Sequence, residues 1–291
     1  MNKIKKLPQL FKWVGNKHRF ADEIISYMPD DIQNYYEPFL GSGAVLGHLA
    51  YYSSNVYEFN KHFESLNGSD IMTPVVDIFN IVKNSPDLLV DRYAYWSDLA
   101  KDDRKIAYQK AIDSYNNTGN PLDFFYVSRS AYSAIIRFRK DDGFMSTPIG
   151  PHTPISTGTL SQRVDIWHDI LTDVNTNFRQ ESFEESFLRA REGDLIYCDP
   201  PYTHSQTILY GAQAFLLEDL WDKIEDAKAR NVRVMVSLNS LSKDGEVVEP
   251  PRGLFERDIV IDVGKSMIDR LQNGGRSKQY KSVNDKLLLT W

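Results

Sequence analysis

The chain has 291 residues, 42% hydrophobic and 25% charged, a composition of globular proteins and enough length for one large domain or two smaller ones. Its 34 basic and 40 acidic side chains give a formal net charge of -6, which argues against a highly basic coat protein but not against a nucleic-acid binder with one basic face. The single cysteine, Cys198, excludes an internal disulfide framework and a cysteine-rich zinc site, and fits a reducing compartment.

The segment from Met1 to Lys17 carries charge but no apolar core of signal-peptide length, and no run approaches a membrane span, so a cytoplasmic protein is expected. Asn34 to Gly47 reads as strand, tight glycine turn at Gly41-Ser-Gly43, then helix. Val75, Ile78, Phe79 and Val82 recur at helical spacing after Pro74. The helical pattern continues over 86–117, breaks at Asn116 to Pro121, and resumes over Leu122 to Ile136. Phe144 to Gly158, with Pro148, Pro151 and Pro154, reads as hairpin or loop. Asp194 to Asp199 is a short buried parallel-type strand ending in Asp199-Pro-Pro-Tyr202. Leu217 to Arg230 reads as an amphipathic helix. Val232–Leu238, Asp258–Val263 and Lys286–Trp291 read as strands. Alternating strands and helices predict an α/β open sheet, with a helical block near 73–155 inserted as a second domain.

A glycine turn between strand and helix lets the backbone approach a ligand at the end of a parallel sheet, although it serves equally as a plain structural turn. The turn lacks the third glycine of a dinucleotide fingerprint and the Gly-Lys-Ser/Thr ending of a phosphate loop. Glu37 would repel a phosphate and suits a cationic group such as an α-amino group. Asp70 is a candidate for holding ribose hydroxyls; a helix N-cap is the competing role, and Glu58 competes for the ribose. Asp199-Pro-Pro-Tyr202 is the sharper signal. Pro200 and Pro201 fix φ and remove two backbone donors, which leaves their carbonyls as acceptors. Asp199 adds a carboxylate and Tyr202 a flat aromatic face, a combination that grips an exocyclic amino group on a planar heterocycle. The bland alternative is a rigid turn with a capping aspartate. The six histidines, His18, His48, His62, His152, His168 and His204, show no ligand spacing, and no metal is expected.

From Phe124 to Lys140 the chain carries Arg129, Arg137, Arg139 and Lys140 and no acid, interleaved with Phe124, Phe125, Tyr126, Tyr132 and Phe138. Basic and aromatic residues in alternation suit phosphate neutralisation and stacking; a solvated helix face over an aromatic core is the other reading.

Taken together these motifs resemble the Dam-type family of DNA adenine-N6 methyltransferases. The resemblance rests on Lys12-Trp-Val-Gly-Asn-Lys17, Glu37-Pro-Phe-Leu-Gly-Ser-Gly43, Asp70-Ile71 with Asn80-Ile-Val-Lys83, Glu181-Ser-Phe183, Asp199-Pro-Pro-Tyr202 and Asn273-Gly-Gly275, in the family's order over almost the whole chain. It implies a seven-stranded, Rossmann-like S-adenosylmethionine-dependent methyltransferase sheet with an inserted, mainly helical target-recognition domain. The expected boundaries are 1–72 and 160–291 for the catalytic domain and 73–159 for the DNA reader.

Carried over by position, the resemblance implies S-adenosyl-L-methionine as cofactor. Trp13, Gly15, Lys17, Glu37, Phe39, Gly41, Gly43, Asp70, Ile71, Ser182, Phe183 and Asp199 would line its site. Asp199, Pro200 and Tyr202 would be catalytic on an adenine flipped out of duplex DNA. Lys12, Arg129, Tyr132, Ser133, Ile135, Arg137, Arg139, Lys140, Arg276 and Lys278 would meet the DNA, with Tyr132 wedging into the duplex and Arg137 reading a guanine. Asn16 replaces a second glycine of many members. Ser133, Ala134 and Ile135 replace the family's Asn-Gly-Leu, which puts the usual GATC target in doubt. About a dozen residues around Tyr51 to Asn67 are extra, and either extend a helix or cover one edge of the cofactor site. Bacterial or phage origin, a restriction–modification or DNA-marking role, a cognate endonuclease on the same site, and no obligate protein partner complete the expectation. Two other readings stand beside it: the same chemistry on RNA or a protein amide, and a nucleic-acid binder that has lost the reaction.

Overall fold

The computed structural model describes residues 6–55, 59–201, 215–239, 249–265 and 282–291. Seven strands form one sheet in these residues: β1 (Asn34–Glu37), β2 (Ser65–Asp70), β3 (Thr176–Gln180), β4 (Leu195–Cys198), β5 (Arg233–Asn239), β6 (Arg257–Lys265) and β7 (Ser282–Leu289). Their spatial order is β3-β2-β1-β4-β5-β7-β6, as the resemblance to methyltransferases led us to expect for strand number. The first five are mutually parallel, and β7 runs antiparallel between β5 and β6. Parallel strands need both faces covered, and the side-chain period of two divides them accordingly. Tyr35, Leu195, Tyr197, Met235, Leu287 and Leu289 enter one core; Tyr36, Ile196, Cys198, Val234, Val236 and Leu288 enter the other.

The first face is covered by α1 (Ala21–Ser26), α2 (Ala44–Asn55), α3 (Thr73–Asn84) and α7 (Thr157–Asp173); the second by α8 (Phe183–Arg189) and α9 (Leu217–Ala229). Between α3 and α7 lie α4 (Pro86–Asp102), α5 (Arg104–Thr118) and α6 (Pro121–Ser130). The helical pattern over 86–117 is thus two helices. Asp103 breaks it by turning out of helical geometry and accepting from the backbone amides of Lys105 and Ile106 at 2.8 and 3.1 Å. Asp123 knits these helices together: its buried carboxylate accepts from Arg92, from the indole of Trp96 at 2.6 Å and from Ser114 at 2.6 Å.

Residue 73 does not mark a break in packing. Phe79 of α3 stacks on Phe178 of β3 at 5.1 Å, and Lys83 donates to the Thr176 carbonyl at 2.5 Å, so α3 belongs to the sheet's own layer. One apolar core runs without interruption from this layer into α4, α5 and α6.

One reading of the sequence is corrected here, and one left open is narrowed. The helix expected to reach Ile136 ends at Ser130; a 3-10 turn over Tyr132–Ala134 follows, and the chain continues as an arm that returns at Met145–Gly150. Ala131 bridges Ile149 and Phe138 bridges Met145. The burial shows the change of period: from Ile136 on, Ile136 and Phe138 turn inward while Arg137 and Arg139 are exposed, an alternation of two that begins where the expected helix would end. The other concerns the extra residues around Tyr51 to Asn67. α2 runs on to Asn55, where Tyr52 donates to Asp22 of α1, and in the chain that follows Lys61 donates to the Met28 carbonyl at 2.7 Å. Tyr51 to Asn55 thus extend the helix, and none of the described residues of this segment lines the main cavity.

Among the described residues no helix is long and apolar enough to cross a membrane.

Candidate active site

Chain direction fixes where a site can form. β1 continues toward β2 on one side while β4 continues toward β5 on the other, so a crevice opens at the carboxyl ends of β1 and β4. A cavity of about 340 Å³ fills it. Glu37 ends β1, Asp70 ends β2, and Asp199 follows β4 directly, so the sheet itself delivers all three carboxylates to the cavity wall.

The glycine turn is built for close approach. Gly41 and Gly43 have φ of +44 and +60, and a Cβ on Gly41 would stand 2.9 Å from the Trp13 indole nitrogen. Gly43 lies behind the cavity, where a Cβ would meet the Phe79 ring at 2.7 Å. The turn is pinned by Asp70, whose carboxylate accepts from the Gly41 amide at 3.0 Å and from the Met72 amide at 2.9 Å. Asp70 is therefore not the N-cap of α3, a position held by Met72. Desolvation pushes its pKa up to about 6, against the pull of those backbone donors.

Glu37 is buried, and one carboxylate oxygen accepts from the Tyr35 hydroxyl at 2.7 Å and the Leu46 amide in the first turn of α2 at 2.8 Å. Burial outweighs these bonds and raises its pKa to about 8. Glu58, the rival for the ribose, lies outside the described residues.

The roof is aromatic and apolar. Phe39 stacks on Phe183 at 5.5 Å, and Phe215 meets both edge-on at 5.6 and 5.7 Å. Ser182 opens α8, and its amide donates to Glu185 at 2.9 Å, a capping interaction that fixes Phe183 over the crevice. Glu181 anchors the same turn by pairing with Arg189 and accepting from Ser186 at 2.7 Å. Ile71, 53% exposed, leaves an apolar rim beside Asp70.

The floor is formed by the amino-terminal segment and by Asp199. Trp13, Gly15 and Lys17 line the cavity, and the Lys17 ammonium lies 2.8 Å from Asp199 Oδ1. Pro200 and Pro201 complete the wall. Tyr202 and His204 lie outside the described residues. Cys198 is buried in β4, and burial raises its thiol pKa well above the ordinary value, as befits a packing residue. The structure thus gathers Trp13, Gly15, Lys17, Glu37, Phe39, Gly41, Asp70, Ile71, Ser182, Phe183, Asp199 and Pro200 around one space. Sequence reasoning missed Phe215 and Tyr197 in that wall; neither carries a motif signal, since one follows no turn pattern and the other looks like any strand residue.

With the crevice and its carboxylates described, comparison with known proteins becomes informative. Residues 13–245 match the family described as D12 class N6 adenine-specific DNA methyltransferase. The chain belongs to this family. It is similar to DNA adenine methylase of Vibrio cholerae, 26% identical over 250 residues covering 80% of this chain and 82% of that one. DNA adenine methylase of Escherichia coli K12 is 25% identical over 249 residues, covering 80% and 81%. The type II methyltransferase M1.LlaDCHI of Lactococcus lactis is 24% identical over 255 residues, covering 82% and 83%. As a D12-class enzyme the protein is an S-adenosylmethionine-dependent, adenine-specific DNA methyltransferase. The donor set suits that cofactor: a buried carboxylate for an ammonium, a second carboxylate for vicinal hydroxyls, and an apolar rim with aromatic rings for a flat base.

The residues expected to meet DNA divide sharply. Tyr132 is 40% exposed, and Arg137, Arg139 and Lys140 are exposed along the arm. Arg139 is paired with Asp142 at 2.5 Å, so part of its charge is already balanced. Ser133 and Ile135 are half-buried between Tyr132 and Arg137. Ser133 and Ala134 both adopt left-handed φ, +53 and +57, where the family's asparagine and glycine would be at ease. Lys12 is half-buried beside Arg129 and Arg163; burial first, then these neighbouring cations, lower its pKa. Arg129 is a correction. It is 3% exposed and donates to the Leu10 carbonyl, so it ties α6 to the amino-terminal segment and does not face solvent. Arg276 and Lys278 lie outside the described residues.

Proposed function

We propose that the enzyme methylates the exocyclic amino group of an adenine flipped out of duplex DNA, at sites read by the arm around Tyr132 and Arg137. In this reading the part of 73–159 that follows α3 supplies the reader, and the sheet with α3 packed on it supplies the chemistry. The carrying observation is the position of Asp199 and Pro200 at the crevice between β1 and β4, in the wall of the cavity that Glu37 and Asp70 also line.

Bound S-adenosylmethionine supplies an electrophilic methyl group. Glu37 would pair with its α-ammonium and Asp70 would accept from its ribose hydroxyls. Ile71, Phe39 and Phe183 would cover its base, and Trp13 would close the floor. Asp199 and the Pro200 carbonyl accept hydrogen bonds from the target amino group. Both acceptors draw the nitrogen lone pair out of ring conjugation and stand where positive charge develops during transfer. Holding the nitrogen in line with the methyl group supplies the rest through orientation. Tyr202 would stack on the flipped base. On the DNA side, Tyr132 would fill the space the base leaves, and Arg137 would contact a guanine edge, a pairing worth ~1–3 kcal/mol of discrimination. Lys12 and Lys140 would meet phosphates.

We place the activity in a restriction–modification or DNA-marking setting. Relatives named as DNA adenine methylases and as a type II methyltransferase support that reading. The test is Asp199→Ala with tritiated S-adenosylmethionine and unmethylated bacterial DNA. Methyl transfer should disappear while DNA binding by gel shift stays within a few-fold. Turnover near that of the wild type would overturn the assignment.

A further inference from the structure

Lys17 stands out among the cavity residues because carboxylates from two distant parts of the chain meet on its ammonium, beside the local Gly15 carbonyl. It is 7% exposed, and its Nζ lies 3.2 Å from the Gly15 carbonyl, 2.8 Å from Asp199 Oδ1 and 3.5 Å from Asp285 Oδ2. Gly15 bends its segment with a φ of +74, Asp199 follows β4, and Asp285 sits in β7, paired in register with Asn239 of β5 and Ile261 of β6. Asp285 is 9% exposed and belongs to the antiparallel strand that completes the sheet. Two carboxylates therefore share one buried cation.

A carboxylate that gives up a lone pair to an ammonium is a poorer acceptor for anything else. Were Lys17 paired with Asp199 alone, its full charge would fall on the group that has to accept from the target amine. Asp285 takes part of that charge and pulls the ammonium toward β7. Burial disfavours the ammonium, but Asp199 and Asp285 outweigh it and keep the Lys17 pKa above its ordinary value, so the cation persists between them.

We infer that Asp285 is a positioning residue for methyl transfer, sharing the Lys17 ammonium so that the Asp199 carboxylate is held in place and draws less of that charge when it accepts from the target amino group. This rests on the reading of Asp199 as the amino-group acceptor. Asp285 touches neither the target base nor the cofactor in this role; it acts through Lys17. The same arrangement explains an acid at this point of β7, where its neighbours Leu287, Leu288 and Leu289 are all buried and apolar.

The experiment compares Asp285→Asn and Asp285→Glu in the full-length chain. Steady-state methylation of unmethylated bacterial DNA is measured alongside calorimetric titration with S-adenosylmethionine and thermal unfolding. Asp285→Asn should lower kcat about tenfold, with the cofactor dissociation constant and the KM for DNA within twofold of wild type. Asp285→Glu, which keeps the charge, should recover most of the rate. A purely structural role would instead lower the melting temperature and weaken both ligands, without rescue by glutamate. Wild-type kcat in folded Asp285→Asn, or glutamate no better than asparagine, overturns the inference. Should the asparagine variant not fold, Asp285→Ser carries the same expectations. Asp199→Ala in parallel separates the two claims. An active Asp199→Ala removes the acceptor reading itself, whereas an inactive one beside a fully active Asp285→Asn removes only the role of Asp285.

Discussion

Glu37 makes the cofactor site a proton-linked site. Its carboxyl is buried at the end of β1, and its pKa is raised from 4.5 to about 8. In the free protein the folded state therefore keeps a proton that the unfolded chain has already lost. Stability should fall as pH rises from about 4.5 and level off above about 8, with a slope of up to ~1.4 kcal/mol per pH unit. A cofactor ammonium needs the ionised form, so binding releases that proton. Between pH 6 and 7 the dissociation constant should fall close to tenfold. It should flatten near pH 8, where Glu37 is ionised without help and free α-amino groups begin to lose their own proton. S-adenosylhomocysteine carries the same amino-acid end and suits calorimetry in two buffers of different ionisation enthalpy, which counts the released proton directly. Glu37→Gln keeps an acceptor for the Leu46 amide but cannot titrate. It should remove the proton release and the slope above pH 7, leaving only the shallower contribution of Asp70 near pH 6, at weaker affinity throughout. A wild-type dissociation constant that is flat from pH 6 to 7.5, or an unchanged slope in Glu37→Gln, would refute the reasoning.

Two glycines in helices should respond with opposite signs to alanine. Gly47→Ala puts a Cβ 2.2 Å from the Trp167 ring, which is buried and held by its bond to the Pro8 carbonyl at 2.8 Å. It should destabilise by about 1–3 kcal/mol in urea unfolding despite the better helix propensity. Gly158 has nothing within 4 Å of such a Cβ, and Gly158→Ala should stabilise by roughly 0.5–1 kcal/mol. On the DNA side, methylation-sensitive sequencing of Arg137→Ala should show relaxed choice at one base pair, and unchanged specificity would remove Arg137 from readout. Arg129→Ala should lower the melting temperature and leave the salt dependence of DNA binding unchanged; a shallower salt slope would return Arg129 to the interface.

What the sequence revealed about the site was local in character. The glycine turn and Asp199-Pro-Pro-Tyr202 are short, chemically distinctive and lie at strand ends, where an open sheet puts ligands. Strand ends and these motifs pointed directly to Glu37, Asp70 and Asp199, while Trp13, Gly15, Lys17, Ile71, Ser182 and Phe183 came from the family resemblance that these motifs helped to carry. The roof and the Lys17 triad were less legible. Phe215 is one more aromatic in an apolar stretch, and Asp285 gains meaning only when β7 inserts between β5 and β6 and brings it to the other end of the chain. Arg129 was misread for a related reason: composition shows that a segment is basic, but only tertiary packing shows that one of its cations points at the Leu10 carbonyl. The helix read over Leu122 to Ile136 overran by six residues, because the apolar positions after Ser130 still fall at spacings a helix would accept, while Phe144 to Gly158 reads correctly as a loop. The left-handed pair at Ser133 and Ala134 gave no warning, since neither residue type announces a turn as glycine does.

The uninterrupted core between the sheet and α4 to α6 has a mechanical consequence. A reader joined by a flexible linker can swing to meet its site and leave the duplex almost undisturbed. Here the arm grows from helices that share one apolar core with the layer that holds the crevice, so the separation between Tyr132 or Arg137 and Asp199 is set by the fold. If the arm reads DNA as proposed, strain in forming the complex would fall on the DNA, which would have to bend or unstack to bring a base across that span. Sequences whose steps unstack readily around the target would therefore be favoured at positions the protein never touches.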